Sequence, residues 1–265
     1  MAGSPLLLQA DWPAPRGVHA ACSLRDGGVS RDPYASLNLG DHVGDDPQCV
    51  AQNRARFAAA LGVRPVFLKQ VHGTKVVVLD TSTPDGTEAD ACITDVPGVA
   101  CTIMVADCLP VLLACEGAPV VGAAHAGWRG LAGEGGSESG RGVLEALWSS
   151  MRERLPADAA HRTLAWLGPC IGPRAFEVGP EVRDAFAAID PSAAACFVPH
   201  PQNSGKWLAD LPGLARLRLR ALGIERIHGN DGTDAWCTVA SASRFFSHRR
   251  DRVSGRFAAT IWRAG

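Results

Sequence analysis

No stretch of this sequence approaches the roughly 18 continuous apolar residues that a membrane-spanning helix needs, so a transmembrane anchor is not expected. The opening residues, Met1 to Pro5, carry no basic segment, and Leu6-Leu7-Leu8 is too short an apolar run for a secretory leader. A cytoplasmic protein is expected. Charge of one sign is also lacking: 26 Lys and Arg against 27 Asp and Glu leave a net charge of −1. No overall basic field exists to hold nucleic acid or an anionic membrane. Arg216 to Arg220, with its alternating arginines, reads as a solvated helix face, and Arg244, Arg249, Arg250, Arg252 and Arg256 form a basic C-terminal region that could line an anion site or simply face water.

Familiar chemical motifs are missing as well. The sequence has no phosphate-binding G-x-x-x-x-G-K-[ST] loop, no G-x-G-x-x-G, no G-x-S-x-G and no H-E-x-x-H. The H-x-E with P-C-x-x-C pattern of nucleobase deaminases is absent. Without any Cys-x-x-Cys, a structural four-ligand zinc site built from close pairs is not expected. The nine cysteines are an odd number and scattered, which speaks against a disulfide framework and for free, mostly buried thiols in a reducing compartment.

What is present is ordinary globular material. The 265 residues are 46% apolar and 20% charged, enough to bury a core without covalent staples. A single domain over 1–265 is expected, with a flexible glycine- and serine-rich segment near 133–142. Short β-branched runs at Val66–Val71, Lys75–Leu79, Val99–Val105, Val111–Cys115 and Val120–His125 read as strands. Asp46-Pro47 reads as a helix start, with Val50, Phe57 and Leu61 on one face and Gly62 as the stop. Val143, Leu144, Leu147, Trp148, Met151 and Leu155 make a second helical stripe. Val182, Phe186 and Ile189 suggest a third, and Leu214, Leu217 and Ala221 a fourth. The class is therefore α/β or mixed α+β.

Three metal-type residues stand where apolar runs give way to turns. His72 follows Phe67–Val71, Cys108 lies between two apolar strands, and His125 ends another. Strand ends present ligands rigidly. Two imidazoles and a thiolate suit zinc, or copper as a softer alternative, and three protein ligands leave a position open for chemistry. Taken singly, the same residues read as a core cysteine and two hydrogen-bonded loop histidines. Spacing alone does not decide between the two.

At these residues the sequence resembles the laccase-domain family of the YfiH type, whose members are variously called polyphenol oxidases, purine nucleoside phosphorylases and peptidoglycan editing factors. The resemblance starts at Ser23 to Ser30 and Pro33 to Asp45 and continues through Gln70-Val71-His72-Gly73. It then takes in Ala106-Asp107-Cys108-Leu109-Pro110 and His125-Ala126-Gly127-Trp128-Arg129-Gly130, and ends with Trp166 to Pro173 and Phe245 to Asp251. It implies a layered α-β-β-α sandwich with mixed sheets, like the catalytic domain of cytotoxic necrotizing factor. It also implies zinc on His72, Cys108 and His125, which would be the catalytic centre.

The implied activity is phosphorolysis of adenosine, inosine, guanosine and methylthioadenosine, with deamination of adenosine, so the implied partners are a purine nucleoside and phosphate. Alternatives from the same resemblance are an amidase removing a wrong amino acid from a UDP-muramyl precursor, with Cys108 as thiolate nucleophile, and a copper-dependent phenol oxidase. A non-enzymatic nucleotide-binding role is a further class. A multicopper oxidase needs on the order of ten histidines; this chain has eight and no H-x-H pair. Four-copper oxygen reduction is thus excluded by count, leaving oxidase chemistry as a side activity of copper at the zinc site.

Arg25, Arg129 and Arg249 are candidates for phosphate or ribose, since guanidinium matches phosphate bidentately; each could equally be a structural ion pair. Asn38, His42 and His248 could hydrogen-bond ribose or base, although Asn38 could instead serve its turn. Asp107 could orient a ligand or cap a strand. The insertion over about 134–142, after the His125 motif, is either a surface loop or a lid. Cys170 stands where the family usually has alanine, a small-residue packing swap. Oligomeric state is not legible.

Overall fold

The computed structural model describes residues 6–133 and 141–265, so most of the insertion expected near 133–142 lies outside the described residues. The chain runs β1 (Leu7–Gln9), β2 (Val18–Ser23), α1 (Pro47–Leu61), β3 (Arg64–Phe67), β4 (Val76–Val78), β5 (Ala91–Thr94), β6 (Val99–Val105), β7 (Leu109–Cys115) and β8 (Val121–Ala126). It continues with α2 (Trp128–Ala132), α3 (Val143–Arg152), α4 (Ala159–Arg162), β9 (Thr163–Leu167), β10 (Glu177–Val178), α5 (Pro180–Ala187), β11 (Phe197–Pro199) and β12 (Trp207–Ala209). α6 (Leu211–Ala221), β13 (Arg226–Gly229), α7 (His248–Asp251) and β14 (Phe257–Arg263) complete it.

Two mixed sheets dominate. One has the order β1-β2-β14-β6-β3, the other β13-β9-β7-β8-β5-β4, and a small third sheet is β10-β12-β11. Side-chain alternation explains how the two large sheets stack. In β6, Cys101 and Ile103 face the layer between the sheets with Leu112 and Ala114 of β7 and Trp166 of β9. Their neighbours in sequence point the other way. Val111, Leu113, Ala165 and Leu167 pack with α3, α5 and α6, while Ala100 and Met104 pack with Phe57 and Leu61 of α1. The result is the expected mixed α-β-β-α layering. β5 to β9 and nearly all of β14 are buried on both faces, which is why several of these runs read as continuous apolar stretches.

Local chemistry sets the helix ends. The Asp46 side chain accepts from Gln48 N at 2.8 Å, Pro47 starts α1, and Gly62 closes it at φ +70°. No heavy atom comes within 4 Å of where a Gly62 Cβ would sit, so its positive φ alone requires glycine. The buried face of α1 also holds a polar residue, Asn53. Its amide nitrogen donates to Ser30 Oγ, Ser36 O and Asn38 O, and its oxygen accepts from Val29 N. Asn53 thereby ties the 29–38 loop to the helix.

Four sequence expectations need correction. The strand expected at Val66–Val71 stops at Phe67. Beyond it, the Gln70 amide pairs with the main chain of Met104 in both directions at 2.8 Å, so a side chain replaces ladder hydrogen bonds as the chain bends. The third helix ends at Ala187, leaving Ile189 beyond it and 38% exposed. On α6 Leu214 is buried and Leu217 packs on the core half-buried, but Ala221 is exposed, and the buried positions are Leu211, Pro212, Leu214, Ala215, Arg218 and Leu219. Arg218 is accordingly not on a solvated face: its Nε lies 2.9 Å from Glu145 Oε1 on α3. All nine cysteines are free, six of them buried.

Candidate metal centre

The site is assembled at the ends of β6, β7 and β8. Cys108 occupies the turn between β6 and β7, directly after Asp107, whose φ is +94°. His125 is the penultimate residue of β8 and is nearly fully buried. His72 lies in the bend after β3 with φ +63°. Two non-glycine residues in the left-handed region, one contributing a site side chain and one preceding another, mark backbone held in place by its surroundings.

The three side chains converge. His72, Cys108 and His125 each offer a ligand atom, all within 4.8 Å of one another. Cys108 Sγ lies 3.7 Å from His72 Nε2. Sulfur and nitrogen sharing one tetrahedral zinc would sit about 3.5 Å apart, given bonds of about 2.3 and 2.0–2.1 Å. The two imidazoles meet edge to face, with centroids 4.7 Å apart. The donor set and spacing fit zinc, and a thiolate with two imidazoles also admits copper.

Asp90 organises two of the three ligands. It is fully buried at the end of a loop leading into β5. Its Oδ1 lies 2.8 Å from His125 Nδ1, so the ring's Nδ1 carries a proton toward the carboxylate and Nε2 is left for the cluster. The same carboxylate accepts the backbone N–H groups of Val71, His72 and Gly73 at 3.1, 2.9 and 2.7 Å, fixing the bend that presents His72. His125 N donates to Asp90 O at 2.7 Å. Burial alone would raise the Asp90 pKa, but the His125 ring and these N–H donors bring it below the ordinary range.

Electrostatics at Cys108 follow the same logic. Burial pushes its thiol up, but the His125 charge and hydrogen bonds from both imidazoles outweigh it and bring the pKa down to about 6. His125 moves the other way, to about 9: burial lowers it, while Cys108 and Asp90 raise it more. Cys108, His125 and Asp90 are thus linked in a row, the ring between them favouring the ionised thiol on one side and the carboxylate on the other.

The motif glycines have steric reasons. A Cβ on Gly127 would sit 3.0 Å from both Cys108 Sγ and His72 Cδ2, and one on Gly130 would meet Gly73 O at 2.8 Å. Glycine lets the start of α2 close over the ligands.

The ligands open into a cavity of about 500 Å³, within the range of small-molecule sites. Met104, Trp128, Ile171, Phe176 and Leu211 give it apolar walls, and His42, His248, Arg249 and Arg256 add cationic and imidazole groups. Three expected contact residues, His42, His248 and Arg249, thus share the cavity with the ligands. The other three are elsewhere. Arg25 lies over the Phe246 ring and donates to Ala35 O and Ala242 O, with Asp251 at 3.8 Å. Asn38 is fully buried, and its amide is spent on Gly40, Asp45 and Arg256 N. Arg129 is exposed and stacks on the outside of Trp128, 4.6 Å from the ring centroid.

Asp107 does not touch the ligand imidazoles. It accepts from Thr238 Oγ1 at 2.5 Å and Arg249 N at 2.6 Å, pinning α7 beside the site. Sequence reasoning gave no role to Asp90, Gln70 or Phe176. Their only signal was a lone polar or aromatic residue next to an apolar strand or glycine, which many purely structural residues share.

The family described as "Multi-copper polyphenol oxidoreductase laccase" matches residues 19–264. The chain belongs to this family. Its relatives include a purine nucleoside phosphorylase of Pseudomonas aeruginosa, 49% identical, covering 96% of this chain and 97% of the relative. The purine nucleoside phosphorylase YfiH of Escherichia coli is 48% identical over 97% of this chain and 98% of its own. Among solved structures, a Neisseria meningitidis protein superposes with a TM-score of 0.87 at 43% identity, covering 98% of this chain and all of its own. YlmD of Geobacillus stearothermophilus gives 0.86 at 32% identity, covering 100% and 98%. These likenesses support an enzyme. Despite the family's multi-copper description, the described residues contain one His/Cys cluster of three ligands. No helix among them is long and apolar enough to cross a membrane.

Proposed function

We propose that this chain is a zinc-dependent purine nucleoside phosphorylase, acting on adenosine, inosine, guanosine and methylthioadenosine, that also deaminates adenosine. The observation behind this reading is the meeting of His72, Cys108 and His125 in a cavity that is apolar on its walls and cationic at its edge. Phe176, Trp128 and Met104 offer a surface on which a purine can lie. Arg249 and Arg256 suit an anion, and His42 and His248 suit sugar or base hydroxyl and nitrogen atoms.

In phosphorolysis, a phosphate oxygen bonds to the anomeric carbon as the carbon–nitrogen bond breaks and its electron pair leaves with the purine. In deamination, water adds at C6 and ammonia departs. Bound at His72, Cys108 and His125, zinc would supply Lewis acidity and lower the pKa of water there. The protein's own part is to keep Cys108 as thiolate, to hold the His125 tautomer through Asp90, and to exclude bulk water with the aromatic wall.

A second reading draws on the same row of groups. A low-pKa thiolate beside an imidazole that is itself oriented by a carboxylate is the arrangement of a cysteine nucleophile, which suits amide hydrolysis of a muramyl precursor. One chromatographic experiment separates the two readings. Zinc-loaded enzyme incubated with adenosine is expected to release adenine only when phosphate is present, and inosine with or without it. Cys108→Ala is expected to lose its zinc and both products, a fall of about 10³-fold or more. Full zinc occupancy with neither product from wild type would overturn the nucleoside reading and leave the amidase.

A further inference from the structure

In the sequence Arg256 is one of five arginines of a basic C-terminal region that could line an anion site or face water, with nothing to single it out. Its setting is unusual. It lines the cavity shared with His72, Cys108 and His125, and no carboxylate among the described residues lies within ion-pair distance of it. Its Nη1 donates to Ser254 O at 2.9 Å and Gly255 O at 3.1 Å, leaving Nε and Nη2 without a hydrogen-bond partner among the described residues. Arg249, the other arginine of the cavity, is more fully engaged: Nη1 and Nη2 both donate to Glu177 O at 3.1 Å, and its guanidinium lies near the Phe176 ring.

The scaffold is built to hold Arg256 in place. Asn38 Oδ1 accepts from Arg256 N at 2.8 Å and from Gly40 N at 2.9 Å. A Cβ on Gly40 would stand 2.7 Å from Arg256 Cγ, so glycine at 40 makes the room its stem occupies. Asn53 in turn ties Asn38 O to α1. A chain of buried amides from α1 therefore ends on the main chain of Arg256, immediately before β14, and fixes where its side chain begins. Arg256 is half-buried, and holding a partly desolvated cation without an acidic partner has a cost that a bound anion would offset.

We infer that Arg256 anchors a subsite for inorganic phosphate within this cavity. The inference rests on the phosphorolysis reading for the role of that phosphate, and on geometry alone for the presence of an anion. Phosphate carries between one and two negative charges at neutral pH, and a guanidinium with two free donor positions can meet two of its oxygens. Cys108 and Asp107 are near enough to act on the Arg256 charge, opposing the downward pull of burial on its pKa. Arg256 also helps burial keep His42 neutral, so that His42 is available as a hydrogen-bonding imidazole at the same anion.

The test compares wild type, Arg256→Met, Arg256→Lys and Gly40→Ala in two measurements. The first is the KM for phosphate against the KM for inosine in phosphorolysis. The second is the rise in melting temperature on adding inorganic phosphate without nucleoside. Arg256→Met is expected to raise the phosphate KM at least about tenfold, to change the inosine KM by far less, and to abolish the phosphate-induced rise. Arg256→Lys, which keeps the charge but loses the fork, should fall between. Gly40→Ala should weaken phosphate in the same direction by displacing the side chain, and it keeps the inference testable if Arg256→Met does not fold.

An unchanged phosphate KM and an unchanged thermal response in a folded Arg256 variant would overturn the inference. Wild type that is stabilised by phosphate through Arg256 yet performs no phosphorolysis would keep the anion subsite and sink the phosphorylase reading. The two failures are therefore distinguishable.

Discussion

The ligand cluster and the cationic edge of the cavity are built on opposite principles. In the cluster, main chain places the side chains: two of the three ligands stand at strand ends or turns, and one buried carboxylate fixes both the bend carrying His72 and the ring of His125. At the edge, long side chains reach in from separate segments, and what matters is which of them is already spoken for. Arg25 is committed to carbonyls outside the cavity, Arg249 to Glu177 O, and Arg256 keeps donors free. Chemistry that must be held to fractions of an ångström is placed on the sheet, whereas charge that acts over a longer range is left to long side chains from separate segments.

Removing Asp90 is the strongest way to break the first half of that comparison. In Asp90→Asn the amide oxygen can still accept, but the NH₂ group faces either the backbone N–H groups of Val71 to Gly73 or the Nδ1 proton of His125. A buried donor pointed at donors costs about 1–3 kcal/mol. Loss of the orienting carboxylate should weaken zinc about 10- to 100-fold. Chelator competition and thermal melts on the same samples read both effects. Unaltered zinc affinity would mean that the strands alone position the imidazoles.

The next effect distinguishes Cys108 from the other thiols. Burial pushes Cys170 and Cys22 upward, whereas the imidazoles bring Cys108 down to about 6. The thiolate is the reactive form, so in metal-stripped protein the rate of alkylation should rise as pH increases through about 6. An ordinary thiol would do so near 8.5. A second inflection is expected near 9, where His125 gives up its proton and the ion pair ends. Mass spectrometry should place the adduct on Cys108 and leave Cys170 unmodified at neutral pH. A midpoint near 8.5 would show that the pairing does not form without metal.

The same contrast explains what was legible in the sequence. β6 was readable to its end residues because a run of β-branched and small apolar side chains buried on both faces leaves no competing reading. Cys108 and His125 were readable because each interrupts such a run. His72 was found for a partly mistaken reason, since the strand expected before it ends at Phe67 and Asp90 and Gln70 hold the bend instead. Asp90 lies 18 residues beyond His72 and 35 before His125, and no local pattern connects them. Arg218 was misjudged, and Arg256 left undecided between an anion site and water, for a related reason: a sequence shows that an arginine is present, but not whether its partner lies on a neighbouring helix or is missing.

Arg25 supplies the smallest effect and the finest test of the edge. Its Nε donates to Ala35 O at 2.7 Å and Nη1 to Ala242 O at 3.3 Å, so the guanidinium links the segment near Ser36 to the one near Arg244. The ring of Phe246 below it adds a cation–π contact of about 0.5–1 kcal/mol. Arg25→Ala should therefore lower stability by about 1–2 kcal/mol, read by urea unfolding, while the KM values for inosine and phosphate stay within about twofold. The Asp251 contact at 3.8 Å adds little of this, because both side chains are part-exposed. A phosphate KM that moved as far as in Arg256→Met, with stability intact, would place Arg25 among the ligand-binding arms. The division between committed and available guanidinium groups would then have to be redrawn.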